Sequence, residues 1–360
     1  MLRMVKRSKM SQSKSIGIRL LAVFLALFTS AVLIRALSLQ PLEVYGALFK
    51  GAFGSAYRLR EVVVKSIALI ITSLGIAIAF KMQFWNIGGE GQICLGAFFA
   101  SFLALNFPEL PRPLLLTLMV LAGMLGGGLW ALIPAYCKAK WKTNETIITL
   151  MMNYVALKWL MYLQFGPWKD PAALGFPKIA NFSSNAILPK VFGVHIGWIF
   201  ALVLVILVSI FLNHSKKGYE IAVLGESENT ALYAGIDLKK TIISAIFISG
   251  ALCGLTGMIQ VSAVNNTLSV EVSGGIGFTA IITTWLASLK PFLILIVSVL
   301  FAALVQGGSF IQTAVGIPQA VAELLQGLIL FFVLGSEFFI RYKLVWERPF
   351  FNLARKGAKK

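Results

Sequence analysis

The residues best suited to chemistry fall in one short stretch, positions 84–96, with WNIGGEGQICLG at its centre. Three glycines, Gly88, Gly89 and Gly91, stand beside Asn86, Glu90 and Gln92 where an apolar run begins. Glycine costs a helix about 1 kcal/mol relative to alanine and leaves its backbone approachable. Irregular backbone at membrane depth survives only where it is buried in protein or lines a cavity. A carboxylate there costs a few kcal/mol at the least, so Glu90 reads by default as functional. The competing reading places it near the inner interface, complementing a helix N-terminus.

A second glycine-rich break, 272–279 (VSGGIGFT), occupies a similar place in the second half of the chain. Paired interruptions of this kind point to a binding site between structural repeats. Asn153, in MMNYVALKW, adds an amide inside another apolar run, either for substrate or for a helix–helix hydrogen bond. The candidate substrate pathway is therefore Asn86, Glu90, Gln92, Asn153 and Thr279. Glu323, five residues after Pro318, reads as a helix-start carboxylate favoured by the dipole. Gly123, Gly126, Gly127 and Gly128 read as close helix packing.

No G-x-x-x-x-G-K-[ST], nucleophile elbow, HExxH or cysteine pair occurs, and GGEGQ lacks the βαβ context of a dinucleotide fingerprint. Cys94, Cys137 and Cys253 match no metal spacing or disulfide framework. His195 and His214 both flank loops and read as interfacial. These absences predict a protein that is not an enzyme and that carries neither cofactor nor metal.

The elements that must position these residues are written in the hydropathy. The chain has 360 residues, 58% hydrophobic and 13% charged, where soluble domains carry roughly 25% charge. Its apolar runs have the length needed to cross about 30 Å of hydrocarbon. Ten spans are expected, at 16–39, 62–80, 85–105, 113–135, 146–165, 196–212, 241–264, 277–289, 291–315 and 318–340. The eighth is too short to cross alone and is expected to continue from a broken or re-entrant segment near Val270. The fold class is all-α integral membrane, in two structural repeats broken near 84–92 and 270–280. The basic, then apolar, N-terminus is too long in its apolar part for a signal peptide and reads as an uncleaved first helix.

The net charge of +18 forms no basic stripe on a polar helix, which argues against nucleic acid. Lys and Arg instead cluster between the apolar runs and at both ends. With the N-terminus inside, 22 of the 32 fall on the inner side, so both termini are expected in the cytoplasm. This divides the chain into a basic cytoplasmic N-terminus (1–15), a transmembrane domain (16–340) and a basic cytoplasmic tail (341–360). The longest inner connection, 213–240, carries four acids; the longest outer one, 166–195, carries Pro167, Pro171, Pro177 and Pro189. Proline stiffens a loop and lowers its ordering cost on docking, so a partner is expected on each face.

NIGGEGQ at 86–92 resembles the NIGxEGQ motif of membrane subunits of ABC importers in the ribose and branched-chain amino-acid permease superfamily. TNETIITLMMNY at 143–154 resembles a stretch of the nucleoside branch, and GPWKDP at 166–171 the outer loop of the longer of that branch's two permeases. GESENTALYAGI at 225–236 is similar to the inner-loop pattern G-x-N-P-x-A-A-x-YAGI, with Ser227 and Glu228 in place of Asn-Pro. The last span, with Gly316, Pro318 and LLQGLIL, also fits. ASLKP stands where the family often has a glycine-rich GRxNP ending.

The resemblance runs from about residue 40 to 342 and implies an ATP-driven importer of nucleosides in the bacterial inner membrane. It implies a second homologous permease, a cytoplasmic ATP-binding subunit that supplies the hydrolysis, and an external substrate-binding lipoprotein. Gly225, Glu226, Leu232, Tyr233 and Gly235 would lie in the segment that seats on the ATPase. A sugar or branched-chain amino-acid permease shares the first motif, and a proton-coupled secondary transporter using Glu90 is the reading from another class.

Overall fold

The computed structural model describes residues 2–6 and 11–346. In chain order the elements are β1 (Leu2–Lys6), α1 (Gln12–Ala36), α2 (Pro41–Phe53), α3 (Ala56–Lys81), α4 (Gly89–Asn106), α5 (Arg112–Trp141) and α6 (Glu145–Phe165). There follow β2 (Lys190–Val191), β3 (Val194–His195), α7 (Gly197–His214), α8 (Lys216–Glu226), α9 (Glu228–Tyr233) and α10 (Leu238–Ile259). The chain continues with α11 (Ile276–Leu286), α12 (Pro291–Val315), α13 (Gln319–Arg341) and β4 (Tyr342–Trp346). The expected all-α membrane architecture holds, with two short antiparallel pairs, β1 with β4 and β2 with β3.

Two compact units divide the chain, one of residues 1–51 with 307–360 and one of residues 52–306. In the first, Ile34, Val44, Ile311, Ile317 and Leu325 form a small buried cluster, and the Tyr45 hydroxyl donates to Leu27 O. Of the basic residues predicted at the two ends, Arg7, Lys9, Arg348, Arg355, Lys356, Lys359 and Lys360 lie outside the described residues.

The second unit is built around α3, whose apolar window is mostly buried. A helix apolar on every side must be enclosed by other helices, and α10 and α11 pack against it. Its start is capped by Ser55 Oγ, which accepts from Arg58 N at 3.3 Å. Helices α4, α5 and α10 meet along glycines. A Cβ on Gly254 would overlap Gly123 O and come within 2.9 Å of Gly127 Cα. The glycine cluster of α5 is thus a close-packing seam, as the spacing predicts. Leu118, Leu121, Leu125 and Leu129 on α5 remain exposed, the face a lipid-embedded helix presents.

The expectation of ten spans needs correction. Among the described residues seven helices are long and apolar enough to cross a membrane, or eight if α1 and α2 form one span bent by 116°. Each of the ten predicted segments does contain helix. α11 has only 11 residues, and α4 opens on Gly-Glu-Gly-Gln, which lowers its hydropathy. α2 was not expected. It follows a reversal in which Ser38 takes a left-handed φ of 63° ahead of Pro41.

The second break lies where expected. α10 runs into a π-helical turn, Gln260–Asn265, and stops at Asn266 with φ 54°. Irregular backbone then leads to α11. The turn from α11 to α12, where the resembled family is often glycine-rich, is made here by Ser288 (φ 51°) and Leu289 (φ 61°). Both occupy the left-handed region that is costly for a residue with a Cβ.

Candidate functional site

The first break is a buried hydrogen-bonded knot. Asn86 Nδ2 donates to Gln92 Oε1 at 3.2 Å and to Ser249 Oγ at 3.1 Å, while Gln92 Nε2 donates back to Asn86 Oδ1 at 2.9 Å. Gly88 N donates to Asn86 Oδ1 at 3.1 Å. From α6, Asn153 reaches both ways: its Oδ1 accepts from Gly91 N at 2.8 Å, and its Nδ2 donates to Ile87 O at 2.9 Å. Thr149 Oγ1 accepts from Ile87 N at 3.3 Å. A chain that leaves helix inside a membrane exposes N–H and C=O groups that water cannot reach. Here the side chains of Asn86, Asn153 and Thr149 take up those groups, and Gln92 holds the Asn86 amide in place.

Glu90 joins this knot to the second break. Its Oε1 accepts from Gly277 N at 2.8 Å and from Phe278 N at 3.4 Å. The carboxylate therefore sits at the N-terminus of α11, where free amides and the helix dipole favour negative charge. Gly277 allows the approach, since a Cβ there would lie 2.5 Å from Glu90 N. The two glycine-rich segments singled out in the sequence touch, and Glu90 lies in the first turn of α4 while accepting from amides at the start of α11.

Beside the second break lies a cavity of about 340 Å³. Glu61, Lys65 and Leu69 of α3 line one side, Gln260 and Asn265 of the π-helical turn another, and Glu271, Ser273 and Thr279 a third. Of the five predicted pathway residues only Thr279 lines it; Asn86, Glu90, Gln92 and Asn153 lie in the buried knot. The sequence reading missed Glu61, Lys65 and Glu271. Their signal was present as charge at the ends of apolar runs, but a helix-end charge is ordinary in a membrane protein.

The loop 166–195 lies against this region. Phe182 N donates to Asn266 O at 2.9 Å, Leu188 N to Ser262 O at 3.2 Å, and Thr267 Oγ1 to Ile179 O at 2.9 Å. Within GPWKDP, Trp168 stacks on Phe98 of α4 with centroids 5.3 Å apart. His195 closes the loop in a buried position: Gly197 N donates to its Nδ1 at 3.3 Å, and burial, then the charge of Lys190, pushes its pKa down to about 4.

The remaining predicted residues lie on α8, α9 and their flanks. Gly225 is buried, and a Cβ there would overlap Lys81 O at the end of α3. Glu226, Leu232, Tyr233 and Gly235 are exposed, Tyr233 by 93%. Ser227, standing for Asn in the family pattern, caps α9 by accepting from Thr230 N at 3.3 Å, so the substitution preserves the cap. Glu220 anchors α8: its Oε2 accepts from Lys217 Nζ at 2.7 Å and from Thr241 Oγ1 at 3.3 Å, and Lys217 holds its carboxyl below the ordinary value.

Comparison with known proteins agrees with this architecture. A glucose ABC transporter permease of Haloferax volcanii is 32% identical over 341 residues, covering 91% of this chain and 89% of its own. A nucleoside ABC transporter permease of Lactococcus lactis is 29% identical, over 90% of this chain and 92% of its own. A guanosine ABC transporter permease of Bacillus subtilis is 28% identical, over 94% and 97%. The family model of the permease component of branched-chain amino acid transport systems matches residues 58–334, and the chain belongs to that family.

Proposed function

We propose that this chain is the membrane permease of an ATP-driven importer of nucleosides, working with a second permease, a cytoplasmic ATP-binding subunit and an external binding lipoprotein. The observation that carries the reading is the joining of the two breaks by Glu90, because it couples the start of α11 to the start of α4, so that a change at one break is felt at the other. Transport needs a bistable element, since a ligand shifts an equilibrium only by its differential affinity for the two states. Exposed Leu232 and Tyr233, apolar side chains on a charged loop, supply the surface for the ATPase. The positive charge bias supports an inner-membrane protein with both termini and the loop 213–240 in the cytoplasm. The loop 166–195 then faces outward to the binding lipoprotein. In this reading Asn86, Gln92 and Asn153 shape the pathway by holding the break, while Thr279 borders it.

Nucleosides rather than branched-chain amino acids are supported by the two nucleoside-type relatives and by the GPWKDP and MMNY segments. A second reading, import of a simple sugar, is favoured by the relative from Haloferax volcanii. The deciding experiment is uptake by the complete complex in proteoliposomes, with adenosine, guanosine, uridine, D-glucose and leucine, with and without ATP. The proposal expects ATP-dependent uptake of nucleosides. Uptake of glucose alone would establish the second reading, and uptake that ignores ATP would overturn both.

A further inference from the structure

We infer that the cavity between α3, the π-helical turn and the second break recognises the vicinal hydroxyls of an uncharged ligand, a ribosyl or hexosyl ring. The inference deepens the import reading and rests on it for its physiological meaning. The cavity's groups are of three kinds. The carboxylates of Glu61 and Glu271 can only accept, the amides of Gln260 and Asn265 both donate and accept, and Lys65 only donates. Val64, Leu69, Val272 and Ile276 supply an apolar wall. Among the described residues, the side chains of Gln260, Asn265 and Glu271 make no hydrogen bond to protein, in contrast to the saturated amides of the knot.

Ligand chemistry follows from that inventory. A vicinal diol offers two adjacent O–H donors to a carboxylate and two acceptors to an amide or ammonium. Two carboxylates against one ammonium leave the cavity formally negative, which disfavours a phosphorylated or carboxylate-bearing ligand. An aliphatic amino-acid side chain would leave the amides without partners in a partly desolvated site. The volume suits a small ligand, within the range of roughly 300–1,000 Å³ usual for such sites. The π-helical turn is what brings Gln260 and Asn265 to the cavity, since the wider turn shifts their register from that of a continuous α-helix. Such turns recur at functional sites.

The test uses Val264→Cys, an exposed apolar position of the cavity lining that carries none of the proposed hydrogen bonds, in the purified complete transporter without its binding protein, with the parent protein as blank for Cys137; Cys94 and Cys253 are buried. The rate of maleimide labelling is measured with adenosine, 2′,3′-dideoxyadenosine, adenosine 5′-monophosphate and D-glucose. Adenosine is expected to slow labelling at least threefold, and the dideoxy and phosphorylated analogues to leave it unchanged. D-Glucose protection in place of adenosine would assign the same hydroxyl chemistry to a hexose. Adding Gln260→Leu or Glu271→Ala should raise the half-protecting concentration about 10-fold or more, as loss of a hydrogen bond to a charged or amide group in such a site does. Uptake is read separately in the same preparation. Import without protection by any hydroxylated ligand overturns the cavity inference, as does equal protection by the dideoxy analogue. Protection without ATP-dependent import leaves the cavity site standing and removes the importer reading.

Discussion

Glu90 of α4 and Gly277 of α11, 187 positions apart, share a hydrogen bond of 2.8 Å from the Gly277 amide to the Glu90 carboxylate. One side chain thereby satisfies the backbone of a helix that begins inside the unit, and one glycine makes room for it. The same carboxylate lies next to the knot held by Asn86, Gln92 and Asn153, so movement of α11 is felt at both breaks.

Glu90→Gln keeps an acceptor at Oε1 and is expected to reduce ATP-driven uptake by no more than a few-fold. Glu90→Ala leaves the Gly277 and Phe278 amides without their acceptor, each charge-assisted bond being worth about 1.5–3 kcal/mol. Uptake should then fall at least about 10-fold. The measurement is ATP-driven uptake by both variants across external pH values from roughly 5.5 to 8. Loss of activity in Glu90→Gln with Glu90→Ala no worse would instead mark a proton carrier.

Leu232→Asp with Tyr233→Asp should separate ATP hydrolysis from transport. Both side chains are exposed on α9 and neither supports the core, so insertion and folding are expected to persist. ATPase activity of the reconstituted complex should continue while nucleoside uptake falls to background. Wild-type uptake in the double variant would remove α9 from the coupling surface.

Gly254→Ala tests the seam of α4, α5 and α10. The added methyl would overlap Gly123 O, a backbone atom that cannot move without shifting a helix. The expected cost is about 1–3 kcal/mol, typical of overpacking, and Gly254→Val should fail to yield a monodisperse protein. Thermal unfolding in detergent checks the first and size-exclusion chromatography the second. An unchanged unfolding midpoint in Gly254→Ala would show that the seam has slack.

His195 makes stability depend on pH in a definite direction. Its pKa falls from an ordinary 6.5 to about 4 in the folded protein, chiefly because it is buried, so the unfolded chain binds more protons between these values. Stability from the neutral ring is fully present above pH 6.5 and is lost as pH falls towards 4. The loss should amount to roughly 2–3 kcal/mol at the acid end. Unfolding midpoints between pH 7.5 and 4 should therefore drop less in His195→Asn than in the parent. Parallel curves would remove His195 as the cause.

The membrane class, the all-α architecture, the family and the two breaks were legible in the residues alone. Each rests on a signal carried within a short window: the length of an apolar run, a charge at its end, or a cluster such as Gly88, Gly89, Glu90 and Gly91. Span number was less so, because α4 and α11 pair helix with glycine-rich starts and the bend between α1 and α2 depends on φ at Ser38. Which polar residues face a space and which face one another could not be read from either window. Asn86 and Gln260 are both amides at the edges of apolar segments, yet Asn86 is spent on Gln92, Ser249 and Gly88, whereas Gln260 borders the cavity. That difference is set by partners far away in the chain. Asn153 is 62 positions from Gly91 and Gly277 is 187 from Glu90, so only tertiary packing decides whether a buried amide or carboxylate has hydrogen bonds to spare.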